Sequence, residues 1–392
     1  MVVKPMIRNN ICMNAHPVGC EENVRRQIEY VRSRGTFDGP KNVVVIGASG
    51  GYGLASRIVA AFGAGARTIG VSYETPAKGS RTGTAGWYQD RAFQTAADEA
   101  GLVHRSFIGD AFSHETKNQV IEAVRETMGH VDLLVYSLAS AVRVDPDTGE
   151  MYRSALKPIG SRYESVTLDG KTGSLKPAAI DPATDEEIEQ TVKVMGGEDW
   201  NLWVDAFEDA GVLADDAITL AYSYIGPDIT FPLYRDGTIG RAKEHLEETA
   251  RTLDRRLSDK GGHAWVSVNK ALVTRASAVI PAVPLYLAIL YRVMKEMNLH
   301  EGTIEQMDRL FRERIYAQLA EGALVPVDEE DRIRMDDWEM REDVQRKVRD
   351  AWDRIDESTI ASLADLEGFQ RDFLQIHGFG FDSVDYERDV EV

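Results

Sequence analysis

Between residues 42 and 273, short apolar and largely β-branched runs recur, each separated from the next by a stretch with helical spacing. "NVVVIG" (42–47) leads into a glycine-rich turn and then the helical "LASRIVAAFG". "TIGVSY" (68–73) follows, and "HRSFIGDA" (104–111) comes after the helical "DRAFQTAADEAG". "VDLLVYSLAS" (131–140), "AITLAYSYIG" (217–226) and "HAWVSVNKALV" (263–273) complete six such runs. Strands that are apolar throughout, rather than at every second position, are covered on both faces. Alternation with helices then makes the sheet parallel. The pattern predicts an α/β fold, a doubly wound parallel sheet with a nucleotide-binding core over 40–290, inside one large domain spanning 1–392.

Two stretches do not fit a bare sheet. From 141 to 211 the turn-forming strings "DPDTG" and "LDGKTGSL" read as hairpins and precede acidic helical runs. An insertion of this length in a compact domain is expected to act as a lid over a ligand cleft. After residue 326 the chain is rich in charge, and "DEEDR" and "DDWEMREDVQRK" read as exposed helix and loop. About forty residues precede the first strand.

Composition narrows the partners. The chain has 392 residues, 43% hydrophobic and 28% charged, the balance of a globular protein with a sizeable core. Its formal net charge of −19 opposes encounter with nucleic acid or an anionic membrane surface. No run approaches the roughly 20 apolar residues of a membrane helix, and the first residues carry no signal-peptide pattern. The expected location is the cytoplasm. The two cysteines, Cys12 and Cys20, flank His16. Pro17 and Gly19 break any helix that would align the three, and a structural zinc takes four ligands. Reduced thiols and no metal are expected.

The glycine-rich turn carries the first chemistry. In "IGASGGYGLA", Gly47, Gly51 and Gly53 lie between a strand and a helix. There the backbone can approach a pyrophosphate and place its charge at a helix N-terminus. Glu74 stands directly after the second strand, 21 residues beyond Gly53. A carboxylate there accepts from adenosine ribose hydroxyls and repels a 2′-phosphate, so NADH is expected over NADPH. Asp110 and Ala111, and Leu138 and Ala139, end the third and fourth runs, where ligands of such sheets bind.

Tyrosine and lysine supply the second. Tyr291 and Lys295 have the spacing of one helical turn, but in an apolar helix, where packing and a snorkelling lysine are expected. Tyr234 and Lys243 are nine residues apart, and a continuous helix would point them to opposite faces. Asp236, Gly237 and Gly240 break that helix, so Tyr234 is expected in a loop that folds back toward a helix beginning near Lys243. A lysine near a helix N-terminus opposes the macrodipole, which argues for a use. A nearby ammonium would lower the phenol pKa and ease proton transfer. Tyr222 and Tyr224 share one strand face, with Tyr224 at the ligand end and Tyr222 toward the core.

The strings "VKPMIRNNICMNAHPVGC", "SLASAVRVDPDTG", "VMGGEDW", "ITLAYSYIGP", "LYRDGTIGRAKEHLE" and "SVNKALVTRASAVIPAVPLYL" together resemble the trans-2-enoyl-CoA reductase / FabV-type enoyl-[acyl-carrier-protein] reductase family, essentially from end to end. The resemblance implies an enlarged short-chain-reductase-like Rossmann fold. It also implies NADH-dependent reduction of the 2,3 double bond of an enoyl-CoA or enoyl-acyl-carrier-protein thioester in fatty acid synthesis. It makes Tyr234 the proton donor, Tyr224 a substrate-binding residue and Lys243 a catalytic and cofactor contact. Gly47, Ala48, Ser49, Gly50, Gly51, Tyr52, Tyr73, Glu74, Asp110, Ala111, Leu138, Ala139, Leu272, Val273 and Thr274 fall where the family binds NAD. The family tends toward monomers.

Two other readings remain open on the residues. A short-chain carbonyl reductase would be expected to carry Tyr-x3-Lys after the fifth strand. A non-catalytic NAD-binding regulator would have no reason to keep Tyr224, Tyr234 and Lys243 together. Docking an acidic carrier protein would need a local basic patch, for which Arg143, Arg153, Lys157 and Arg162 are candidates, although solvated surface is their simpler reading.

Overall fold

The computed structural model describes residues 1–8, 11–169, 173–275, 277, 280 and 282–392. The six apolar runs form β1 (Asn42–Ile46), β2 (Arg67–Ser72), β3 (His104–Ile108), β4 (Val131–Tyr136), β5 (Leu213–Ser223) and β6 (His263–Val268). Each ends before the polar or glycine residues that closed the run in sequence. A seventh strand, β7 (Arg332–Arg334), pairs with β6. All seven are parallel, in the order β7-β6-β5-β4-β1-β2-β3. The chain runs outward from β1 to β3 and then returns beside β1, so the order reverses between β1 and β4. A crevice opens there beyond the strand ends.

The helices are α1 (Pro17–Ser33), α2 (Gly51–Ile58), α3 (Ala85–Glu99), α4 (His114–Thr127), α5 (Asp185–Met195), α6 (Glu198–Asp209), α7 (Thr238–Ser258), α8 (Val283–Glu296) and α9 (Thr303–Arg309). Strand β1 shows why its run is apolar throughout. Val43 and Val45 pack with Leu133, Val135 and Leu220 under α1, α2 and α9, while Val44 and Ile46 pack with Leu134 and Tyr136 under α4, α6 and α7. Both faces are dry, and each fully buried Val or Ile contributes about 1.5–3 kcal/mol.

The stretch 141–211 divides in two. Its first part forms two antiparallel hairpins, Val142–Val144 with Met151–Arg153 and Tyr163–Leu168 with Leu175–Ile180. The turn residues 170–172 of "LDGKTGSL" lie outside the described residues. Helix α5 follows, started by a capping box in which Thr184 and Glu187 satisfy each other's backbone N–H. Its last part, α6, is an ordinary crossover helix between β4 and β5, with Trp200 and Trp203 fully buried against the sheet. Only the part before α6 can act as a lid.

The tail corrects the expectation of exposed helix and loop. Ile333 is fully buried in β7, and the flanking Arg332 and Arg334 are neutralised by Asp328, Glu247 and Asp336. A strand of one apolar residue between two arginines has no periodicity to read; its partners lie elsewhere in the fold. The helices Glu342–Trp352 and Leu366–Ile376 then enclose α8, whose residues from Leu285 to Tyr291 are all fully buried. A helix apolar on every side must be central. Together they form a second core beside the sheet, above the carboxyl ends of its strands.

Candidate active site

The glycine loop binds by what it lacks. Gly47 adopts φ +89°, and a Cβ there would lie 2.0 Å from the Ser137 carbonyl oxygen. A Cβ on Gly53 would lie 2.0 Å from the Gly47 oxygen. No side chain fits either position, so the turn from β1 lies flat against the end of β4 and α2 opens directly onto the crevice. The free N–H groups of its first turn then face the space where an anionic group would sit.

That space is a cavity of about 730 Å³, within the range of small-molecule sites. Its walls include Gly47, Ser49, Gly50, Gly51, Tyr52, Tyr73, Glu74, Asp110, Ala111, Leu138, Ala139, Leu272, Val273 and Thr274. Of the cofactor residues named from sequence, Ala48 is buried behind the wall, its N–H held by the Val71 carbonyl. Lys243 does not reach the wall. The walls also contain Ser137, Arg275, Tyr291, Asp372, Gln375 and Ile376, which sequence reasoning missed. Asp372, Gln375 and Ile376 come from the tail.

Glu74 is prepared for hydroxyl groups. Its side chain is almost fully buried; Oε1 accepts from Ser49 Oγ at 2.7 Å and from Arg275 at 2.9 Å. Oε2 is buried with no partner among the described residues. Glu74 lies on the cavity wall with this acceptor unmet, and a ligand hydroxyl would satisfy it after a small turn of the carboxylate. A ribose fits that requirement, and the residues present fit a dinucleotide.

Beside this cavity, three tyrosines surround one carboxylate. Tyr234 lies in the loop before α7, as expected, and is buried. Its ring meets the Tyr224 ring edge-on, centroids 4.8 Å apart. Tyr224 donates to Glu339 Oε1 at 3.1 Å, and Tyr286 of α8 donates to the same oxygen at 2.6 Å. The N–H of Ala271 reaches Glu339 Oε2 at 2.6 Å. The Tyr234 hydroxyl makes no hydrogen bond among the described residues and remains available. Tyr222, toward the core as expected, shares a 2.6 Å hydrogen bond with Ser56.

The Lys243 ammonium is not hydrogen-bonded to Tyr234 in this structure. It donates to the Tyr222 carbonyl at 3.1 Å, and burial lowers its pKa to about 8 against the opposing pull of Glu247. The Tyr234 pKa is raised, by burial first and by the Glu339 charge second, with no lowering from Lys243. Desolvation outweighs a lysine that is directed elsewhere, so Tyr234 is held firmly as a neutral acid. Tyr291 also departs from mere packing. Its hydroxyl accepts the Val273 N–H at 3.1 Å and so fixes the cofactor wall, while Lys295 pairs with Asp365.

Sequence comparison decides what carries this arrangement. A family model described as the trans-2-enoyl-CoA reductase catalytic region matches residues 81–316, and one for the NAD(P)H binding domain of trans-2-enoyl-CoA reductase matches 2–79. The chain belongs to the trans-2-enoyl-CoA reductase family. The enoyl-[acyl-carrier-protein] reductase [NADH] of Flavobacterium johnsoniae is 53% identical over 390 residues, covering 100% of this chain and 98% of that protein. The counterpart from Edwardsiella ictaluri is 53% identical over 391 residues, covering 100% and 97%. Among solved structures, Treponema denticola trans-2-enoyl-CoA reductase in complex with NAD matches with TM-score 0.96 and 54% identity, covering 100% of this chain and 98% of that one. This reductase is an NADH-dependent oxidoreductase with a short-chain-reductase-like Rossmann fold. Among its described residues no helix is long and apolar enough to cross a membrane.

A third family model, described as an enoyl reductase FAD binding domain, matches 327–390. The residues of the reductase there do not fit a flavin. Asp372, Gln375 and Ile376 face the dinucleotide cavity, and Glu339 is enclosed by tyrosines. The groove along residues 383–391 is rimmed by six carboxylates and four arginines and has no glycine on its wall. A flavin's phosphates would meet net negative charge there and no close-approach backbone.

Proposed function

We propose that the protein reduces the 2,3 double bond of a trans-2-enoyl thioester, with the dinucleotide in the 730 Å³ cavity and Tyr234 as the proton donor. The observation that carries this reading is a buried, protonated tyrosine hydroxyl left unpartnered beside a cavity suited to a dinucleotide. When bound, NADH supplies the hydride that adds at the β-carbon. As negative charge develops on the thioester oxygen, the Tyr234 hydroxyl is the group free to hydrogen-bond it. The proton it gives up ends on the α-carbon, after which Tyr234 is reprotonated from solvent. Tyr224 sets the Tyr234 ring from the side and forms part of the substrate wall. Lys243 belongs to the same machinery by its Tyr-x8-Lys position, and its ammonium fixes the carbonyl at the end of β5. Glu74, on the cavity wall, takes the adenosine ribose and favours NADH over NADPH. The first hairpin, Val142–Val144 with Met151–Arg153, forms the lid, since Val142 and Val144 line the cavity.

The four insertion cations named from sequence do not form an unpaired basic patch for an acidic carrier. Of the four cations that could dock an acidic carrier, Arg143 is buried against Glu198, Lys157 pairs with Glu187, and Arg162 pairs with Glu164 and Asp181. Only Arg153 is left without an acidic partner among the described residues. A monomer is the proposed working unit.

The test is NADH oxidation with crotonyl-CoA and with the crotonyl carrier-protein thioester, run beside NADPH. NADH turnover on both, with weak salt dependence, is the expected result. No turnover on any enoyl thioester, despite tight NADH binding, would overturn it.

A further inference from the structure

The mechanism leaves unused the buried carboxylate that the active-site tyrosines surround. Glu339 is fully enclosed, lies more than a hundred residues from either active-site tyrosine, and belongs to the stretch matched by a flavin-domain model. All three of its contacts come from hydrogen-bond donors, two tyrosine hydroxyls and one backbone N–H. Three donors converging on two oxygens describe an acceptor, the carboxylate form.

We propose that Glu339 is a positioning residue for the proton donor: it engages the Tyr224 hydroxyl, so that Tyr234 alone is left to donate to the substrate. The inference rests on the assignment of Tyr234 as donor. Two tyrosines with rings 4.8 Å apart are otherwise near-equivalent acids. Glu339 separates them. The Tyr224 hydrogen points to Oε1, which Tyr286 also holds at 2.6 Å. The Tyr224 ring is thereby locked, and its edge-on contact fixes the plane of Tyr234. Through Oε2 the same side chain anchors Ala271, one residue before the cofactor wall at Leu272. One carboxylate therefore ties the tyrosine pair, α8 and the start of the cofactor wall into a single unit.

The charged and titratable groups around it set the pH behaviour. Tyr224 and Tyr234 face Glu339 from the segment after β5, Tyr286 from α8, Lys270 from the segment after β6, Tyr52 from α2 and Asp336 from its own loop. Burial raises the Glu339 pKa above the ordinary carboxylate value and Asp336 adds to the rise, while Lys270 and the Tyr286 and Ala271 hydrogen bonds oppose it. The Glu339 charge raises the Tyr234 pKa, so its removal lowers it.

The experiment compares wild type, Glu339→Gln and Tyr286→Phe in the full-length enzyme with NADH and crotonyl-CoA, with Tyr234→Phe as reference. Glu339→Gln should lower kcat about tenfold while the NADH Kd stays within about twofold, because the lost function is orientation of the acid. The alkaline limb of the kcat profile should move to lower pH, a shift that a merely structural residue would not produce. Tyr286→Phe removes one oxygen from a packed ring; it keeps the charge and should lower kcat by about threefold without moving that limb. Wild-type kcat and an unshifted limb in Glu339→Gln, with Tyr234→Phe inactive, overturn this inference alone. Full turnover by Tyr234→Phe overturns the donor assignment and this inference with it.

Discussion

The dinucleotide cavity and the tyrosine cluster lie side by side, yet they are built on opposite principles. The cavity is made by subtraction. Glycines remove side chains so that backbone N–H groups line the space, and one acidic residue sits at a fixed interval along the same two strands. Its key parts fall within a short stretch of chain. The tyrosine cluster is made by assembly. Tyr224, Tyr234, Lys270, Tyr286 and Glu339 come from distant segments, and burial rather than exposure sets their protonation. The glycine loop and Glu74 of the first are set by local sequence, with a far wall from 272–275 and the tail; the second requires the whole fold.

The strongest test of that division removes a single atom from the cluster. Tyr234→Phe should reduce kcat by about 10²–10⁴-fold with NADH affinity unchanged, measured by NADH oxidation and by NADH fluorescence titration. A matching loss of NADH affinity would mean that the two regions are not separable.

The complementary change adds one atom to the cavity. Gly47→Ala places a Cβ 2.0 Å from the Ser137 oxygen at φ +89°. It should weaken NADH binding by more than about tenfold and lower the unfolding midpoint, since both β1 and the end of β4 must move. Wild-type affinity would show that the loop does not approach the pyrophosphate as closely as its geometry requires.

A milder change sharpens the cofactor choice. Glu74→Gln keeps the size of the side chain but removes its charge, and should narrow the NADH-over-NADPH ratio in kcat/KM by about tenfold. Arg275 already shares Oε1, so some of the charge is offset in the free protein. An unchanged ratio would place discrimination elsewhere.

The smallest effect concerns stability. Burial lowers the pKa of Lys243 and of Lys270 to about 8, below the ordinary lysine value of about 10.4 in the unfolded chain. Above pH 8 the unfolded state therefore binds more protons than the folded state, and stability rises with pH from these two groups. The buried tyrosines, with raised pKa values, act in the opposite direction above about pH 10. Urea denaturation between pH 8 and 10 should show a shallower rise in Lys243→Met than in wild type. Equal slopes would mean that Lys243 keeps its ammonium hydrated.

Sequence determined a large share of this protein. Six of the seven strands lie where continuous apolar runs placed them, because a strand covered on both faces tolerates few polar residues. Gly47, Gly51, Gly53 and Glu74 were legible because a strand, a glycine-rich turn, a helix and the end of the next strand follow one another along the chain, although Gly47 packs on Ser137 and Glu74 pairs with Arg275 from farther away. The helix start between Tyr234 and Lys243 was readable from Gly237, which caps α7, whereas Gly240, expected to break the helix, lies inside it.

Tertiary structure alone decided the rest. Arg332 to Arg334 form a strand only because β6 offers an edge and Asp328, Asp336 and Glu247 neutralise the arginines. "DDWEM" reads as solvated acid, yet the fold carries Glu339 to the tyrosines, with Ala271 and Tyr286 satisfying its charge. The expected lowering of the Tyr234 pKa by Lys243 fails for a related reason. Electrostatic influence follows distance and burial in space, and spacing along the chain does not report either.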